Sequence, residues 1–377
     1  MQLATTGFQD TILTGNPDIS YYQKVFTSRA IYKSEVLRLA FDTGCDFGQT
    51  TLCTLGGDTC DIITGFYIKF SYTDEVELPQ DTGHAYIDNV SLLVGGQTII
   101  SLSGEYLAIT SDLKDSQRTR KNYENILRRN ATPRSYGTAV TANTAYVDIP
   151  FFGKGYRDSF PLVALKRHPV QIKLTMRNSS EFVTPPVTPQ LDLIVQAIYL
   201  DGNHKKMFTD RPLNYIVHQV QVAPLVLGNL NQLRFATKFD NPIKEFLLVV
   251  QNDTGTFGPF DYSSRNSDLY SSFSNDQVEQ WKMFLNGQML FDLNKINMRT
   301  IEPYKHYTQT PSYKTNVYNI GQGDGPYPSG TINMSRVASQ VFELKLTPAN
   351  FTRKARLYAT TLNVFRCMGG LGGLMFI

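Results

Sequence analysis

Asn89–Ile100 reads NVSLLVGGQTII and Gln280–Phe291 reads QWKMFLNGQMLF, and the two stretches align without a gap. Val90, Leu92 and Val94 fall on Trp281, Met283 and Leu285; Gly96-Gln97 falls on Gly287-Gln288, and Ile99 on Leu290. Apolar residues at every second position mark one face of a strand. Each stretch is therefore a strand, a tight turn and a returning strand. Asn286-Gly287 is the pair a two-residue hairpin demands, because both central residues need positive φ, and Gly95-Gly96 meets the same need.

Other pairs flank these hairpins in matching order. GFYIKF (65–70) precedes the first and EFLLVV (245–250) the second; IKLT (172–175) follows the first and LKLT (344–347) the second. Each half then ends on a long apolar strand, 191–200 and 355–365, and the four offsets are 180, 191, 172 and about 165. Four pairs in one order predict two copies of a β domain. The boundary is expected within Asp201–Leu213 (DGNHKKMFTDRPL), which is polar and closed by Pro212. The resulting division is an N-terminal arm over 1–24, a first domain over 25–205, a linker over 206–213 and a second domain over 214–377. Gly15-Asn16-Pro17 is a turn signal within the arm.

Composition agrees with an all-β chain. Its 377 residues are 41% apolar and 18% charged, with 23 Phe and 21 Tyr against one Trp, and 27 Gly and 18 Pro as punctuation. That is enough apolar material for real cores, and aromatics suit pleated, half-buried surfaces. The clearest helical signal is Ser111–Arg129, with Ser111 or Asp112 as its cap. Its cations, among them Lys114, Arg118 and Arg128, suit a solvated face, or an electrostatic contact with a neighbouring subunit or a particle interior. A net charge of +3 is too near neutral to indicate a specific nucleic-acid partner. No basic-then-apolar leader and no apolar run of ~18 residues is present. The protein is expected to stay in the cytosol or leave it inside a particle. The sequons at Asn130 and Asn350 are then read as chance.

Catalytic chemistry has no foothold. There is no Walker loop, H-E-x-x-H or G-x-S-x-G; the glycines at 153–155 and 321–325 lack the spacing of a dinucleotide-binding turn. Gly369–Gly373 is glycine-rich, but no helix can follow it to hold a phosphate. His84, His168, His204, His218 and His306 are all more than four residues apart, so no strand carries a cupin-like pair. Cys45, Cys53 and Cys60 are too widely spaced for C-x-x-C; they and Cys367 are read as free thiols, with one disulfide among the first three left open. We assign no catalytic, cofactor-binding or metal-binding residue and expect no enzyme.

Longer motifs carry a family resemblance. GFQDTILTGNPDISYYQKVF (7–26), AYIDNVSLLVGGQTIISLSGEYLAI (85–109), IPFFGKGYRDSFPLVALKRHPVQIKL (149–174), LRFATKFDNPIKEFLLVVQ (233–251), PSGTINMSRV (328–337) and YATTLNVFRCMGGLGGL (358–374) together resemble the double jelly-roll major capsid proteins of nucleocytoplasmic large DNA viruses. Leu248 and Thr361 depart from the family pattern, which has Trp and Asn there. Phe160-Pro161-Leu162 is expected to start a strand, and Pro328-Ser329-Gly330 to precede one over 331–337.

The resemblance implies two tandem jelly rolls and a homotrimer that tiles an icosahedral shell with neighbouring capsomers. It implies a virion location with assembly in the host cytoplasm, minor capsid or penton partners, and an inner-membrane contact through the arm. The trimer contact is expected from the long connections 101–148, 201–213 and 252–280, with Tyr262, Tyr270 and Phe273 as adhesive aromatics. Alternatives are a paralogous minor capsid or scaffold role and a carbohydrate-binding sandwich, the latter disfavoured by the single Trp.

Overall fold

A computed structural model describes residues 32–78, 81–114, 140–153, 158–182, 187–228, 230–252, 260, 262, 276–308, 311, 313–321, 329–348 and 351–376. The expected arm, most of the 111–129 helix, Tyr270 and Phe273 lie outside these residues.

The first half folds as eight strands: β1 (Tyr32–Ala40), β2 (Thr50–Leu55), β3 (Ile62–Leu78), β4 (Ile87–Val94), β5 (Gln97–Ser103), β6 (Val140–Asp148), β7 (Val170–Met176) and β8 (Gln190–Leu200). They form two four-stranded antiparallel sheets, ordered β1-β8-β3-β6 and β2-β7-β4-β5. Two helices interrupt them, α1 (Thr82–Tyr86) and α2 (Gly104–Lys114). A third, α3 (Gly202–Thr209), lies in the stretch read as a polar connection.

The second half repeats the plan with β9 (Leu213–Gly228), β10 (Gln232–Thr237), β11 (Pro242–Asn252), β12 (Val278–Leu285), β13 (Gln288–Asn294), β14 (Asn316–Asn319), β15 (Ile332–Asn333), β16 (Gln340–Leu346), β17 (Arg353–Met368) and β18 (Leu371–Leu374). One sheet runs β10-β16-β12-β13 and the other β9-β17-β11-β14. A π-helical turn over Asn297–Ile301 leads into α4 (Glu302–His306).

The eight strands of the first half each have a counterpart in the second, as the sequence duplication predicts; β15 and β18 are additions to the second half. Each hairpin occupies the same edge of the same sheet. Even the register slips coincide: between Leu92 and Leu93 in one hairpin and between Met283 and Phe284 in the other, at the offset of 191. A second shared bulge lies between Ile63 and Gly65 and between Ile243 and Glu245, at the offset of 180. The turns have the expected backbone: φ is 58° and 84° at Gly95-Gly96, and 49° and 83° at Asn286-Gly287. Gly369-Gly370, at 61° and 86°, makes a third such turn between β17 and β18.

Three local expectations are corrected. The helix begins at Gly104, not Ser111, and its cap is Ser103, whose hydroxyl accepts from the Tyr106 amide at 3.2 Å. Nearly every residue of α2 is buried, so it carries no polar stripe by which a pattern would reveal it. Phe160 makes only a bridge to Ile63; Pro161 then opens a 3-10 turn over Leu162–Leu165, its carbonyl accepting from Ala164. The strand expected over 331–337 stops at Asn333, whose side chain accepts from the Ser335 amide and caps a 3-10 turn instead.

The second sandwich has its own core around Trp281, Phe246 and Phe342. The first core does not stop at the first sandwich: the same apolar cluster takes in Leu247, Val249, Tyr358 and Phe365 of the second. Strand β11 is thus buried on both faces, which explains its unbroken apolar run. In β3, by contrast, Phe66, Ile68 and Phe70 are buried while Tyr67 and Lys69 are half-buried. Cys45, Cys53, Cys60 and Cys367 are free and buried, and burial pushes the Cys60 and Cys367 thiols up to about 12.

Two glycines show two different demands for that residue type within one fold. A Cβ on Gly287 would meet nothing within 4 Å, so Gly287→Ala should cost only its positive-φ strain, about 1 kcal/mol. A Cβ on Gly104 would lie 2.2 Å from the Ile87 carbonyl oxygen and 2.3 Å from that of His84. Gly104→Ala should therefore lose at least about 3 kcal/mol or fail to fold, as denaturant unfolding of the two variants will read.

Candidate functional site

The seam between the sandwiches holds the molecule's most elaborate polar chemistry. It is built where α2 crosses the outer face of the β9-β17-β11-β14 sheet. Glu105, at the start of α2, points into that sheet and is fully buried. Its carboxylate accepts from the Arg356 guanidinium, from the Tyr358 hydroxyl, and from the Tyr262 hydroxyl at 2.7 Å. Arg356 also donates to Gln251 at 2.7 Å.

A second carboxylate answers from the other side. Glu245, on β11, has no exposed side-chain surface and is 3.2 Å from the Lys114 ammonium at the far end of α2. It accepts from Tyr307 and, at 2.9 Å, from Thr360, whose hydroxyl is 2.9 Å from that of Tyr106. Asp112 accepts from the Tyr313 amide at 2.9 Å, and Thr308 donates to the Leu113 carbonyl at 3.1 Å. Helix α2 is thus fastened to the second sandwich along its whole length.

The β17–β18 hairpin closes the seam from another direction. Arg167 donates its amide to the Gly370 carbonyl at 3.0 Å, and the Gly372 amide donates to His168 Nδ1 at 3.2 Å. Phe365 stacks on Phe160, and a Cβ on Gly372 would lie 2.5 Å from Leu165 Cδ2. The glycine-rich motif at 369–373 serves close approach of backbone to the first sandwich.

Burial alone would push both carboxyls up, since it disfavours charge. The facing cations and hydroxyls more than offset it. Arg356, then Tyr358 and Tyr262, hold Glu105 below the usual carboxylate range; Lys114, Tyr307, Lys244 and Thr360 hold Glu245 at about 2. The arrangement fastens; it offers no open face to a substrate. Among the described residues, no group of three or more His, Cys, Asp and Glu could hold a metal ion.

The single Trp281 lies in the second core against Phe291 and Phe342, so it is no sugar platform. Tyr262, expected as an adhesive contact between subunits, is corrected: it is buried inside the chain on Glu105. Sequence reading passed over Glu105, Glu245 and Arg356. The available signal was a lone acid in each of two apolar runs, GEYLAI and EFLLVV.

Removing one member of such a buried pair leaves the other charge stranded. Arg356→Met should cost about 3–5 kcal/mol in equilibrium unfolding. Lys33→Met, at an exposed pair with Glu35, should leave the unfolding midpoint essentially where it was. The acid response follows from Glu245. Its folded pKa lies below its unfolded value, so its contribution is complete above pH ~4.5 and is lost as pH falls toward 2. For this group alone the loss is on the order of 3 kcal/mol. Unfolding midpoints measured from pH 6 to 2 should fall most steeply in that window, and Glu245→Gln should flatten the slope.

Comparison with known proteins agrees with this architecture. The family model described as "Large eukaryotic DNA virus major capsid protein" matches residues 204–373, and "Major capsid protein N-terminus" matches residues 20–254. The major capsid protein of Pyramimonas orientalis virus is 26% identical over 412 aligned residues, covering 100% of this chain and 98% of the relative. That of Paramecium bursaria Chlorella virus 1 is 23% identical over 454, covering 100% and 98%. The PBCV-1 virus capsid structure matches with a TM-score of 0.82 at 19% identity, over 95% of this chain and 100% of that one. The Faustovirus major capsid protein matches with a TM-score of 0.71 at 11% identity, over 96% and 94%. Two tandem jelly rolls, joined through a buried seam and matched by these models from residue 20 to residue 373, make this chain a member of the major capsid protein family of large eukaryotic DNA viruses.

Proposed function

We propose that this chain is the repeating unit of an icosahedral viral shell, in which three copies close a near-hexagonal capsomer. The observation that carries the reading is the seam. A buried ionic and apolar contact holds two similar but unequal sandwiches in one fixed relation, so each chain brings two blocks to a ring. Three chains bring six, and six blocks around one axis tile a hexagonal net. Closure by threefold symmetry requires one heterologous contact, first sandwich against the next chain's second.

In this reading the arm is 1–24, the first jelly roll 25–205, the linker 206–213 and the second jelly roll 214–377. The arm contacts an inner membrane or a neighbour, minor capsid or penton proteins fill the remaining lattice positions, and assembly takes place in the host cytoplasm. A permanent contact of this kind buries well over ~2,000 Å².

Native mass measurement on the purified chain at low micromolar concentration tests the proposal. The expected species has three times the 42.5 kDa of the chain, and electron microscopy at higher concentration should show hexagonal arrays. A monomer that never trimerises, even crowded or with partner proteins, would remove the capsomer and leave a minor or scaffolding role.

A further inference from the structure

The internal duplication makes the seam within one chain a template for a contact between chains. In the second sandwich α2 lies on the outer face of the β9-β17-β11-β14 sheet and covers its β17 and β11 part, while Val222 at the β9 edge stays 45% exposed. The shared bulge fixes equivalent positions without ambiguity. At the bulge, Glu245 pairs with Thr360 and Gly65 pairs with Gln196. Two residues on, Leu247 pairs with Tyr358 and Tyr67 pairs with Ile194. The second-sandwich residues are all buried. Their first-sandwich counterparts Tyr67 and Ile194 are half-buried and Gln196 is exposed. At the edge of the same face, Val36 opposite Gln196 is 66% exposed.

The helix follows the same rule. At the offset of 191 that relates the hairpins, Gly104–Lys114 falls on residues 295–305, which are helical through the π turn and α4. Glu105 falls on Ile296, Thr110 on Ile301 and Leu113 on Tyr304. Where the α2 residues are buried, these three are 51%, 37% and 85% exposed. Ile296 stands for Glu105 and Ile301 for Thr110 on the helix, while Gly65 stands for Glu245 and Ile194 for Tyr358 on the sheet. Two charged members keep a charged counterpart, Lys305 for Lys114 and Asp192, paired with Arg38, for Arg356, and Gly65 is itself buried; what the single chain leaves exposed are Ile296, Ile301 and Tyr304 on the helix and Gln196 on the sheet.

We infer that the 295–306 helix of one copy docks on the β1-β8-β3-β6 face of the next, taking the seat that α2 takes within a chain. The occupant is a second copy of this chain because both halves of the contact are present on it, each equivalent to a half already joined. Contacts within and between chains then alternate around the axis, and six turns of about 60° close at three chains. The inference rests on the capsomer reading and adds the surfaces that make it. Apolar side chains suit a contact whose partners must first exist apart in water, where unpaired buried carboxylates would not form.

The test uses the full chain in two ways. Sedimentation across a concentration series compares the parent with Tyr304→Asp and Val36→Asp, one on each side of the contact. Each should raise the concentration for half-assembly by about tenfold or more while leaving the monomer's melting unchanged. Separately, Lys305→Cys with Gln196→Cys is treated with a short bis-maleimide; the four native thiols are buried. Denaturing gels should show linked dimers and trimers and nothing larger. Parent-like assembly of both aspartate variants, or intact trimers that do not link, overturns the docking while leaving the capsomer standing; residues 1–31 or another surface would then occupy the face. A parent chain that stays monomeric defeats the capsomer itself, and the docking with it.

Discussion

A carboxylate taken out of water must be met by partners worth as much as the water it lost. Glu105 sits in the first sandwich, but Arg356, Tyr358 and Tyr262, which meet it, belong to the second. Glu245 sits in the second, and Lys114 reaches it from the first. Each sandwich therefore holds a buried carboxylate that a cation of the other reaches. The apolar cluster that runs from the first core onto β11 and β17 adds the non-directional part of the attraction. The ionic pairs add the directional part, because a small rotation of one sandwich on the other would strand both charges. A shell needs that fixed angle more than it needs extra stability.

The same constraint explains how two copies of one plan came to differ. Strand β3 keeps the alternation of a sheet with one wet face, while β11 has lost it because a helix covers its second face. The α2 helix is buried nearly all round, while its counterpart after β13 keeps an exposed stripe. Both differences lie on surfaces that the seam covers in one copy and not in the other. The two hairpin turns and the bulges at 63–65 and 92–93, which answer to backbone geometry, recur at 243–245 and 283–284.

Much of the fold is legible in the sequence for this reason. Period-two patterns and the Gly95-Gly96 and Asn286-Gly287 pairs report local geometry, and local geometry is what the duplicate domains share. The strands read from the two hairpins and their flanking pairs all form. What pattern could not report was α2, since a helix buried on all sides has no amphipathic stripe, and the stop at Asn333, where a side-chain cap outcompetes the strand. The seam was hidden for a different reason. Glu105 and Arg356 look like ordinary charges until a fold brings them together, and no spacing rule links residues so far apart. Tyr262 was read as outward-facing because a polar connection surrounds it in sequence, whereas its hydroxyl has a buried acceptor.

That separation also sets a clock. Glu105 and Arg356 are 251 residues apart. At ~5–20 residues per second of synthesis, about 10 to 50 s pass between the making of the acid and the making of the base that neutralises it. From the making of β8 until that of Arg356, the nascent first sandwich carries Glu105, Tyr106 and Lys114 with no second sandwich to seat them. The side of α2 that the second sandwich will cover is then open to a chaperone or to a wrong neighbour. Its polar residues keep it soluble until β17 arrives, a service that an apolar seam of equal strength would not perform.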